Sequence, residues 1–583
     1  MHYNLKGVFL LLLPIFIFAS FNKDIIQLSK KPYWHILLHY KNQKSEIDSP
    51  SFFLSKNGKY SPYEELNATI YYLQHPKYQD DNSTYCRFPA RREWIKEKFP
   101  NLDIKVQNCI ELNKEMNAIK NVKSVSVIFP TILMNSPASM FGHTLLRLDD
   151  SNGDLLNSFA INYAAMTDDT NAIIYAFKGL TGMYKGKFAV VPYYKKISEY
   201  NDIKNRDIWE YKLNLTPNEI EKLKLHLFEV KDKWAYYYYF NKNCSYEILW
   251  FLEAARPSLE LTNKFNYKTL PIDTIKEMDR EHLIVSSNFR PSKRKIILYY
   301  YNHISNKSIA SKFLKTNDVK LLKNLNTKDK QYILDFAIEM LNYDYVVKHM
   351  KQTKYLKKYI KLLKIRSKLG KEKTINVVKP DNPLNSHDSD KVWVYYKKDT
   401  ALIGIKPAFH SIYDLNNGFV AGAYIDFFKL QASISKDSSK LDYFYFFNIK
   451  SLTPRDDIFK PISWSVDLGF ERFRDNEMYA TLKTSAGISY KINRFLYSFD
   501  VNLKHYYKNS YYLGIAPEIY CEYNFEVSKF VFDFQRNFFD FKKYNELNIR
   551  YIQGITKQFN INVGYSKDIN QNNFFVGINY YFL

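Results

Sequence analysis

Glycine and cysteine are scarce in this sequence, which has 17 Gly and 4 Cys among 583 residues. Beyond the N-terminus there is no run of about 18 consecutive apolar residues, so no later transmembrane helix is expected. The sequence also lacks a G-x-S-x-G motif, a Walker phosphate loop and a set of zinc ligands at a recognisable spacing. These absences exclude the enzyme classes that the motifs mark. We expect neither a metal nor any other cofactor.

Aromatic residues and lysines are abundant instead. The 50 Tyr and 43 Phe are typical of β-sheets and membrane interfaces. The 84 Lys and Arg residues outnumber the 60 Asp and Glu residues, which gives a net charge of +24. A solvated lysine-rich surface explains this excess, and attraction to anionic phospholipid head groups is the alternative. Nucleic acid is not expected as a partner, because no recognition module accompanies the charge.

The first twenty residues have the pattern of a signal peptide. Lys6 precedes an apolar run at residues 7–19, and small residues follow at Ala19 and Ser20. A retained membrane anchor is the alternative, but the run is short and Pro14 interrupts it. We therefore expect a signal peptide at residues 1–20 and an exported mature chain.

The four cysteines fall into a close pair and two distant residues. Cys86 and Cys109 are near enough in sequence to form a disulfide in an oxidising compartment. That pairing would leave Cys244 free. The alternative is a structural disulfide that includes Cys244.

The chain divides by pattern into four regions after the signal peptide. Residues 21–120 are predicted to be a helical N-terminal domain, and residues 121–300 mix strands with helices. Thr216 and Glu219 form a capping-box pattern, which predicts a helix over 217–233. Residues 301–390 are predicted to be a lysine-rich helical connector that ends in a polar linker.

The last region, residues 391–583, is predicted to be an antiparallel β-barrel of about 12 strands. Apolar and polar residues alternate there, as in the run from Phe495 to Lys504. A soluble β-sandwich would alternate in the same way. Long strands, aromatic residues on the apolar face and the terminal sequence Tyr581-Phe582-Leu583 favour a transmembrane barrel. We therefore expect the bacterial outer membrane, with the preceding domains in the periplasm.

The strongest local signal for chemistry is the segment from Asn243 to Leu252. Its apolar spacing predicts a helix, with Asn243 as the N-cap and Cys244 as the first helical residue. The backbone N–H groups and the helix dipole should lower the pKa of the Cys244 thiol and could stabilise an oxyanion. A small buried cysteine used only for packing is the alternative.

A histidine supplies the base that such a nucleophile needs. His143 lies in the sequence SPASMFGHTLLRL at residues 136–148, at the predicted start of a strand, and Gly142 should leave room for a substrate carbonyl. Asn162 on the second strand of a predicted hairpin could orient the ring, and Ser158 is the weaker candidate. A histidine in such a place can also be purely structural.

These two segments together resemble the periplasmic domain of Lnb-type lipoprotein N-acyltransferases. The order of the histidine and cysteine is also similar to lecithin:retinol acyltransferase and other permuted papain-like (NlpC-like) proteins. The resemblance covers residues 125–260 and implies a papain-like α+β catalytic domain. It implies His143 as base, Cys244 as nucleophile and Asn162 as third residue, and Asn243 and Arg147 match neighbouring motif positions. Ser139 and Ser158 are further supporting candidates. Lnb-type enzymes end in membrane-spanning helices, whereas this chain ends in β-strands.

Three functions are compatible with these patterns. The first is acyl transfer from a phospholipid donor through a Cys244 thioester, to a lipoprotein amine or to water. The second is an NlpC-like peptidase or amidase that acts on cell-wall peptides with the same residues. The third is a non-enzymatic binding or assembly module at the outer membrane. A narrow apolar channel beside Cys244 would favour the first function, and an open polar groove the second.

Overall fold

The computed structural model describes residues 23–132, 134, 140, 142–150, 155–169, 171–203, 205–371 and 375–583. The predicted signal peptide and Ser139 lie outside the described residues. The chain forms two compact units, Met1–Val377 and Val378–Leu583. The architecture confirms the predicted fold class of a helical N-terminal region, a mixed α+β middle and a C-terminal barrel.

The N-terminal region is helical, as predicted. Its helices are α1 (Pro32–Leu37), α2 (Pro62–Gln74), α3 (Thr84–Arg87), α4 (Pro89–Lys98) and α5 (Ile110–Ala118), with a small hairpin of β1 (Tyr40–Lys41) and β2 (Lys44–Ser45). Proline at the first turn begins α1, α2 and α4, where its missing N–H costs nothing. Trp34 stacks on Trp94 with ring centroids 5.4 Å apart. A disulfide joins Cys86 to Cys109, so the sulfur of Cys244 is free.

The middle region is built on a seven-stranded antiparallel sheet. Its strands are β3 (Val122–Pro130), β4 (Leu145–Asp150), β5 (Phe159–Met166), β6 (Tyr184–Pro192), β7 (Ile208–Leu213), β8 (Trp234–Tyr237) and β9 (Ile284–Arg290). They lie in the order β8-β6-β5-β4-β3-β7-β9. The hairpin of β4 and β5 was predicted, but β4 begins at Leu145, so His143 lies in the loop before the strand rather than at its start.

In the described part of this region, the α-helices beside the sheet are α6 (Ala172–Thr181), α7 (Tyr193–Ile197), α8 (Pro217–Val230), α9 (Cys244–Ala255) and α10 (Pro271–Arg280). The capping box of Thr216 and Glu219 is present, as predicted. Helix α8 ends at Val230 instead of residue 233, because Lys231 is extended and Asp232 has a positive φ. Every residue of α9 is buried, and the helix packs against α8, β4 and β5. A helix buried on all sides holds its first residue firmly in the interior.

The connector region is also helical. Its helices are α11 (Lys293–His303), α12 (Lys307–Thr316), α13 (Thr327–Val347) and α14 (Gln352–Arg366). Arg366 on α14 forms a buried ion pair with Asp335 on α13, which joins the two helices. Among the described residues, no helix combines the length and the hydropathy that crossing a membrane requires.

The C-terminal unit is a closed antiparallel barrel. Its strands are β10 (Asp390–Lys397), β11 (Thr400–Lys406), β12 (Ala408–His410), β13 (Ala423–Ser435), β14 (Ser439–Ser451), β15 (Ser463–Arg472), β16 (Met478–Ile492), β17 (Phe495–Tyr507), β18 (Tyr511–Asn524), β19 (Ser528–Phe539), β20 (Lys543–Gly554), β21 (Phe559–Lys567) and β22 (Asn572–Phe582). Strand β10 pairs with both β11 and β22, and β11 pairs with β13, which closes a ring of twelve strands. The short β12 lies beside β13 outside the count of twelve. The predicted strand number is confirmed.

The barrel has an apolar outside and a polar inside. On β17, Phe499, Val501 and Leu503 are exposed, whereas the alternate residues Asp500 and Asn502 are buried. Strands β21 and β22 show the same pattern of buried polar and exposed apolar residues. There Asn560, Asn562 and Asn579 are buried, and Val563, Val576 and Ile578 are exposed. A soluble sandwich would bury its apolar face instead. This polarity is that of a barrel whose outer surface faces lipid.

Candidate active site

Cys244 is held at the N-terminus of α9 by the side chain of Asn243. The Oδ1 atom of Asn243 accepts hydrogen bonds from the backbone N–H groups of Ser245, at 3.0 Å, and Tyr246, at 3.3 Å. Its Nδ2 atom donates to the carbonyls of Tyr239 and Thr269. The amide therefore fixes both the helix end and the segment that leads into it, and Cys244 is the first helical residue, as the sequence predicts.

The Asn243 cap decides which N–H groups at the start of α9 are left to stabilise an oxyanion. The N–H groups of Ser245 and Tyr246 already donate to Asn243, so they are not the oxyanion donors that we expected. The N–H of Cys244 itself makes a long bond of 3.4 Å to the hydroxyl of Tyr237. A weak bond of this length can be exchanged for a stronger one to an anion, so this N–H and the Tyr237 hydroxyl are the better candidates.

The expected decrease in the pKa of the thiol is wrong. Burial raises the pKa of Cys244 above its ordinary value. Hydrogen bonds from the Thr144 backbone N–H and the Tyr237 hydroxyl, together with the positive charge of Arg206, act in the opposite direction and are outweighed. The helix terminus favours a thiolate locally, but removing water from a charged sulfur costs more. The resting sulfur is therefore a neutral thiol that needs a base.

His143 is oriented by Asn162. The Nε2 atom of His143 lies 2.9 Å from the Oδ1 atom of Asn162, which is buried on β5. Burial lowers the pKa of His143 to about 3, since the bond to Asn162, which raises the pKa, is too weak to compensate. The imidazole is thus neutral at neutral pH. A carbonyl oxygen only accepts, so the proton is on Nε2, and Nδ1 carries the lone pair of a base.

The loop before β4 places the segment that contains His143 near Cys244. Thr144, which follows His143 directly, lies close enough to Cys244 for its backbone N–H to act on the pKa of the thiol and lower it. The positive charge of Arg206 acts on the pKa values of both His143 and Cys244. Residues about a hundred positions apart in sequence therefore lie in one buried site, because α9 packs against the β4–β5 hairpin.

Gly142 has a different role from the one expected. It has a φ of +92°, which strongly favours glycine, and a Cβ atom there would lie 2.6 Å from the ring of Phe129. The glycine is needed for the turn of the loop and for its packing on β3. The room that we expected for a substrate carbonyl is filled by Phe129.

Arg147 and Ser158 belong to a buried polar network beside the site. The guanidinium of Arg147 forms ion pairs with Asp149 and, at 3.0 Å, with Glu210. The hydroxyl of Ser158 donates to Asp149 at 3.1 Å. These contacts link β4, β7 and the turn before β5. They therefore indicate that Arg147 and Ser158 support the structure around the site. Ser139, the remaining expected residue, lies outside the described part of the chain.

Three residues around the site were not identified from the sequence. Arg206 is buried and donates to the carbonyls of Pro130 and Thr131. Tyr200 lies under both this guanidinium and the His143 ring, with centroids 5.5 Å apart for the two rings. Tyr237 is the last residue of β8, and its hydroxyl accepts the hydrogen bond from the Cys244 N–H. Nothing in the local sequence distinguishes these residues, because only the tertiary fold brings them to Cys244.

One side-chain group among the described residues has the spacing of a metal site. It consists of His387, His410 and Asp414 in the barrel, all buried. Asp414 is already paired with Lys391 at 2.6 Å and Lys406 at 2.9 Å. Two lysines on the only carboxylate of the group oppose a cation there. The prediction that the protein uses no metal stays a prediction.

Four family models match successive parts of the chain. Residues 113–281 match the Lnb N-terminal periplasmic domain. Residues 26–98, 287–378 and 380–580 match three different domains of unknown function. A search of the curated proteins finds no match. The Lnb match includes His143, Asn162 and Cys244, and it supports a role related to lipoprotein processing.

Several solved outer-membrane barrels are similar to about a third of the chain. A KdgM porin in complex with disordered oligogalacturonate is 9% identical over 33% of this chain and 99% of its own, with a TM-score of 0.24. A bacterial polysaccharide outer membrane secretin is 8% identical over 34% of this chain and 99% of its own, with a TM-score of 0.20. A loop-deletion mutant of OmpT from Vibrio cholerae is 8% identical over 33% of this chain and 96% of its own, with a TM-score of 0.18.

Scores this low do not establish a shared fold, so the barrel assignment rests on the strand pairing and on the polarity of its two faces. A closed barrel with an apolar exterior belongs in an outer membrane, since it satisfies its backbone hydrogen bonds within lipid. The chain is therefore an outer-membrane barrel protein whose residues 113–281 match the model of the Lnb N-terminal periplasmic domain.

Proposed function

We propose that the Lnb domain takes an acyl chain from a phospholipid onto Cys244 as a thioester and passes it to a lipoprotein amine or to water. One observation carries the proposal. Cys244 carries a buried, neutral thiol next to Thr144, the residue that follows His143. The imidazole of His143 is neutral, and its Nε2 atom is hydrogen-bonded to Asn162, so its Nδ1 atom is free to act as a base. We also propose, from the sequence resemblance, that this domain is related to the permuted papain-like proteins.

The first half-reaction forms the thioester. The Nδ1 atom of His143 takes the thiol proton as the Cys244 sulfur attacks the ester carbonyl of the phospholipid. The carbonyl oxygen becomes an oxyanion, which the Cys244 N–H and the Tyr237 hydroxyl can stabilise. The C–O bond then breaks, and the imidazolium returns its proton to the leaving lysophospholipid alkoxide. The products are an S-acyl enzyme and a lysophospholipid.

The second half-reaction repeats these steps with an acceptor. A neutral amine attacks the thioester carbonyl, His143 takes one amine proton, and the C–S bond breaks. The thiolate recovers this proton from His143, which restores the resting thiol and leaves an amide. With water as acceptor, the same steps release a fatty acid.

Intact-mass analysis tests the first half-reaction. The full-length protein in detergent is incubated with a diacyl phospholipid of one defined chain length, without an acceptor. We expect a mass increase of one acyl group in the wild-type protein and in Cys521→Ala, which removes the other free thiol. Cys244→Ala and His143→Gln should show no increase. An equal adduct on Cys244→Ala would refute the proposal.

The acceptor is tested on the pre-formed adduct. A peptide with an N-terminal diacylglyceryl-cysteine and a free amine is added, and the acyl group is followed by mass. Transfer to the amine supports the acyltransferase, and release of fatty acid alone supports a phospholipase. Cleavage of a cell-wall peptide with no acyl adduct would instead favour the peptidase alternative.

A further inference from the structure

Helix α6 exposes a row of large apolar side chains to solvent. Ile174, Phe177 and Leu180 recur at a spacing of three residues, so they share one face of the helix. Phe177 is 59% exposed. Met166, at the end of β5, and Met183, just before β6, are exposed on either side of the helix. Residues 166–183, which we call the crossover segment, thus carry five exposed apolar side chains close together in sequence.

The opposite face of α6 packs directly against the segment that leads to Cys244. The carbonyl of Gly179 accepts a hydrogen bond of 2.9 Å from the N–H of Tyr239, and a Cβ atom on Gly179 would lie 2.2 Å from the Tyr239 ring. The carbonyl of Tyr239 in turn accepts a bond from Asn243, the N-cap of α9. One backbone hydrogen bond and one side-chain hydrogen bond therefore connect the apolar helix to the cap of the nucleophile's helix.

The size of the exposed face argues against a protein partner. The surface consists of five exposed apolar side chains, whereas a stable interface takes about 20–30 residues from each partner. A stable interface between proteins, or between two copies of this chain, needs roughly 800 Å² on each partner. Amphipathic helices of this kind do bind bilayers, because single protruding side chains can insert among acyl chains.

The charges around the helix are compatible with a phospholipid surface. Helix α6 contains no acidic residue, and of the two aspartates in the loop before it, Asp169 is paired with Lys178 at 2.9 Å and with the Tyr184 hydroxyl, whereas Asp168 is exposed. Lys185 is exposed at the start of β6, with its ammonium 4.2 Å from the centre of the Trp234 ring, and its charge balances that of Asp168. The barrel also anchors the chain in a membrane, so phospholipid is always present at high local concentration.

We propose that the crossover segment is a membrane-docking surface on which α6 lies in a phospholipid leaflet, with Ile174, Phe177 and Leu180 inserted among the acyl chains next to the segment that leads to Cys244. The proposal names where the donor of the proposed acyl transfer would enter, and so it rests on that function. Docking itself is a physical contact that can be measured without any activity.

Fluorescence quenching by brominated lipids tests the contact. The full-length protein is reconstituted in phospholipid nanodiscs with bromine on the acyl chains, and Phe177→Trp is compared with the wild type. The matched control is Tyr267→Trp, because Tyr267 is 93% exposed in the same unit and lies outside the crossover segment. We expect the added tryptophan to be quenched at position 177 and not at position 267. Equal quenching at both positions, or none at position 177, would overturn the proposal.

A second variant tests whether docking affects the reaction with bilayer phospholipid without affecting the chemical step. The combined variant Ile174→Ser, Phe177→Ser and Leu180→Ser should form the acyl adduct from bilayer phospholipid about tenfold more slowly, because it loses its insertion into the leaflet. Its rate with a short water-soluble ester should stay within about twofold of the wild type, since α6 does not touch the reacting atoms. Val285→Ser, at another exposed apolar position, is the control.

The outcomes separate the two proposals. If no protein forms an adduct but the tryptophan of Phe177→Trp is quenched, the acyl transfer fails and the docking surface stands. If the adduct forms and the combined variant reacts at the wild-type rate with bilayer phospholipid, the docking surface fails alone. If the tryptophan of Phe177→Trp is not quenched and a cross-linker joins position 177 to a second chain, the surface is a protein interface and the docking proposal is wrong.

Discussion

The imidazole of His143 and the amide of Asn162 are joined by a hydrogen bond of 2.9 Å between Nε2 and Oδ1. The two residues lie on either side of β4, 19 positions apart, and the β4–β5 hairpin brings them together. Because the amide oxygen only accepts, this bond places the proton on Nε2 and leaves Nδ1 as the base. The effect of this hydrogen bond on the rate of Cys244 acylation can be measured.

Removing the amide should slow the reaction without weakening substrate binding. We expect Asn162→Ala to lower the rate of Cys244 acylation by about ten- to a hundredfold, because the imidazole loses the partner that orients it. The apparent KM for phospholipid should change little. Ser158→Ala is the matched control and should react at the wild-type rate. A slower Ser158→Ala and an unchanged Asn162→Ala would assign the third position to the serine.

The raised pKa of the Cys244 thiol predicts low reactivity at neutral pH. A higher pKa means a smaller thiolate fraction at any given pH, so alkylation by iodoacetamide should be slow at pH 7 and rise only above the usual thiol pKa of about 8.5. The measurement uses Cys521→Ala, so that one free thiol remains. Rapid alkylation that is already complete at pH 6 would indicate a resting thiolate, contrary to this prediction.

Arg147 should matter for stability more than for chemistry. Replacing it in Arg147→Met leaves Asp149 buried without its cation and Glu210 with Arg290 alone, which should cost on the order of 3–5 kcal/mol of unfolding free energy. Urea unfolding followed by tryptophan fluorescence measures this loss. The folded fraction should still form the acyl adduct. Lys105→Met, which breaks an exposed pair with Asp103, should leave stability unchanged. A stable but inactive Arg147→Met would place Arg147 in the reaction instead.

The outer face of the barrel can be tested at one position. Val501 is at the centre of β17 and is 51% exposed, with its side chain on the outer face. A lysine in the middle of a lipid-facing strand costs about 2–4 kcal/mol, so Val501→Lys should unfold at lower urea concentration in phospholipid vesicles. Val501→Leu, which stays apolar, should not differ from the wild type. Equal stability of all three proteins would mean that this face meets water.

Much of the local structure followed from the sequence. The capping box at Thr216, the cap at Asn243 and the alternation on β17 each depend on residues within a few positions of one another. The prediction that Cys244 and His143 act together came from recognising two motifs together, and it stays a prediction. The position of Asn162 on a hairpin also followed, because a hairpin brings its own two strands into contact.

The features that were wrong or missed depend on residues distant in sequence. The N-terminus of α9 predicted a low thiol pKa from local groups, but the pKa is raised because the fold removes water from around the sulfur. Arg206 and Tyr237 have no motif, and they act on the site only because separate strands and loops converge there. Gly142 faces Phe129, a contact that no local pattern contains.

The sequence by itself determined the period of two in the C-terminal region, since alternate side chains of a strand point to opposite faces. It did not determine which face is inside, because a sandwich and a barrel share that period. Only the pairing of β10 with β22, at the two ends of the region, closes the sheet and places Asp500 and Asn502 inside and Val501 outside. Burial is a property of the whole fold, and this is why the membrane face and the thiol pKa were both decided by the tertiary structure.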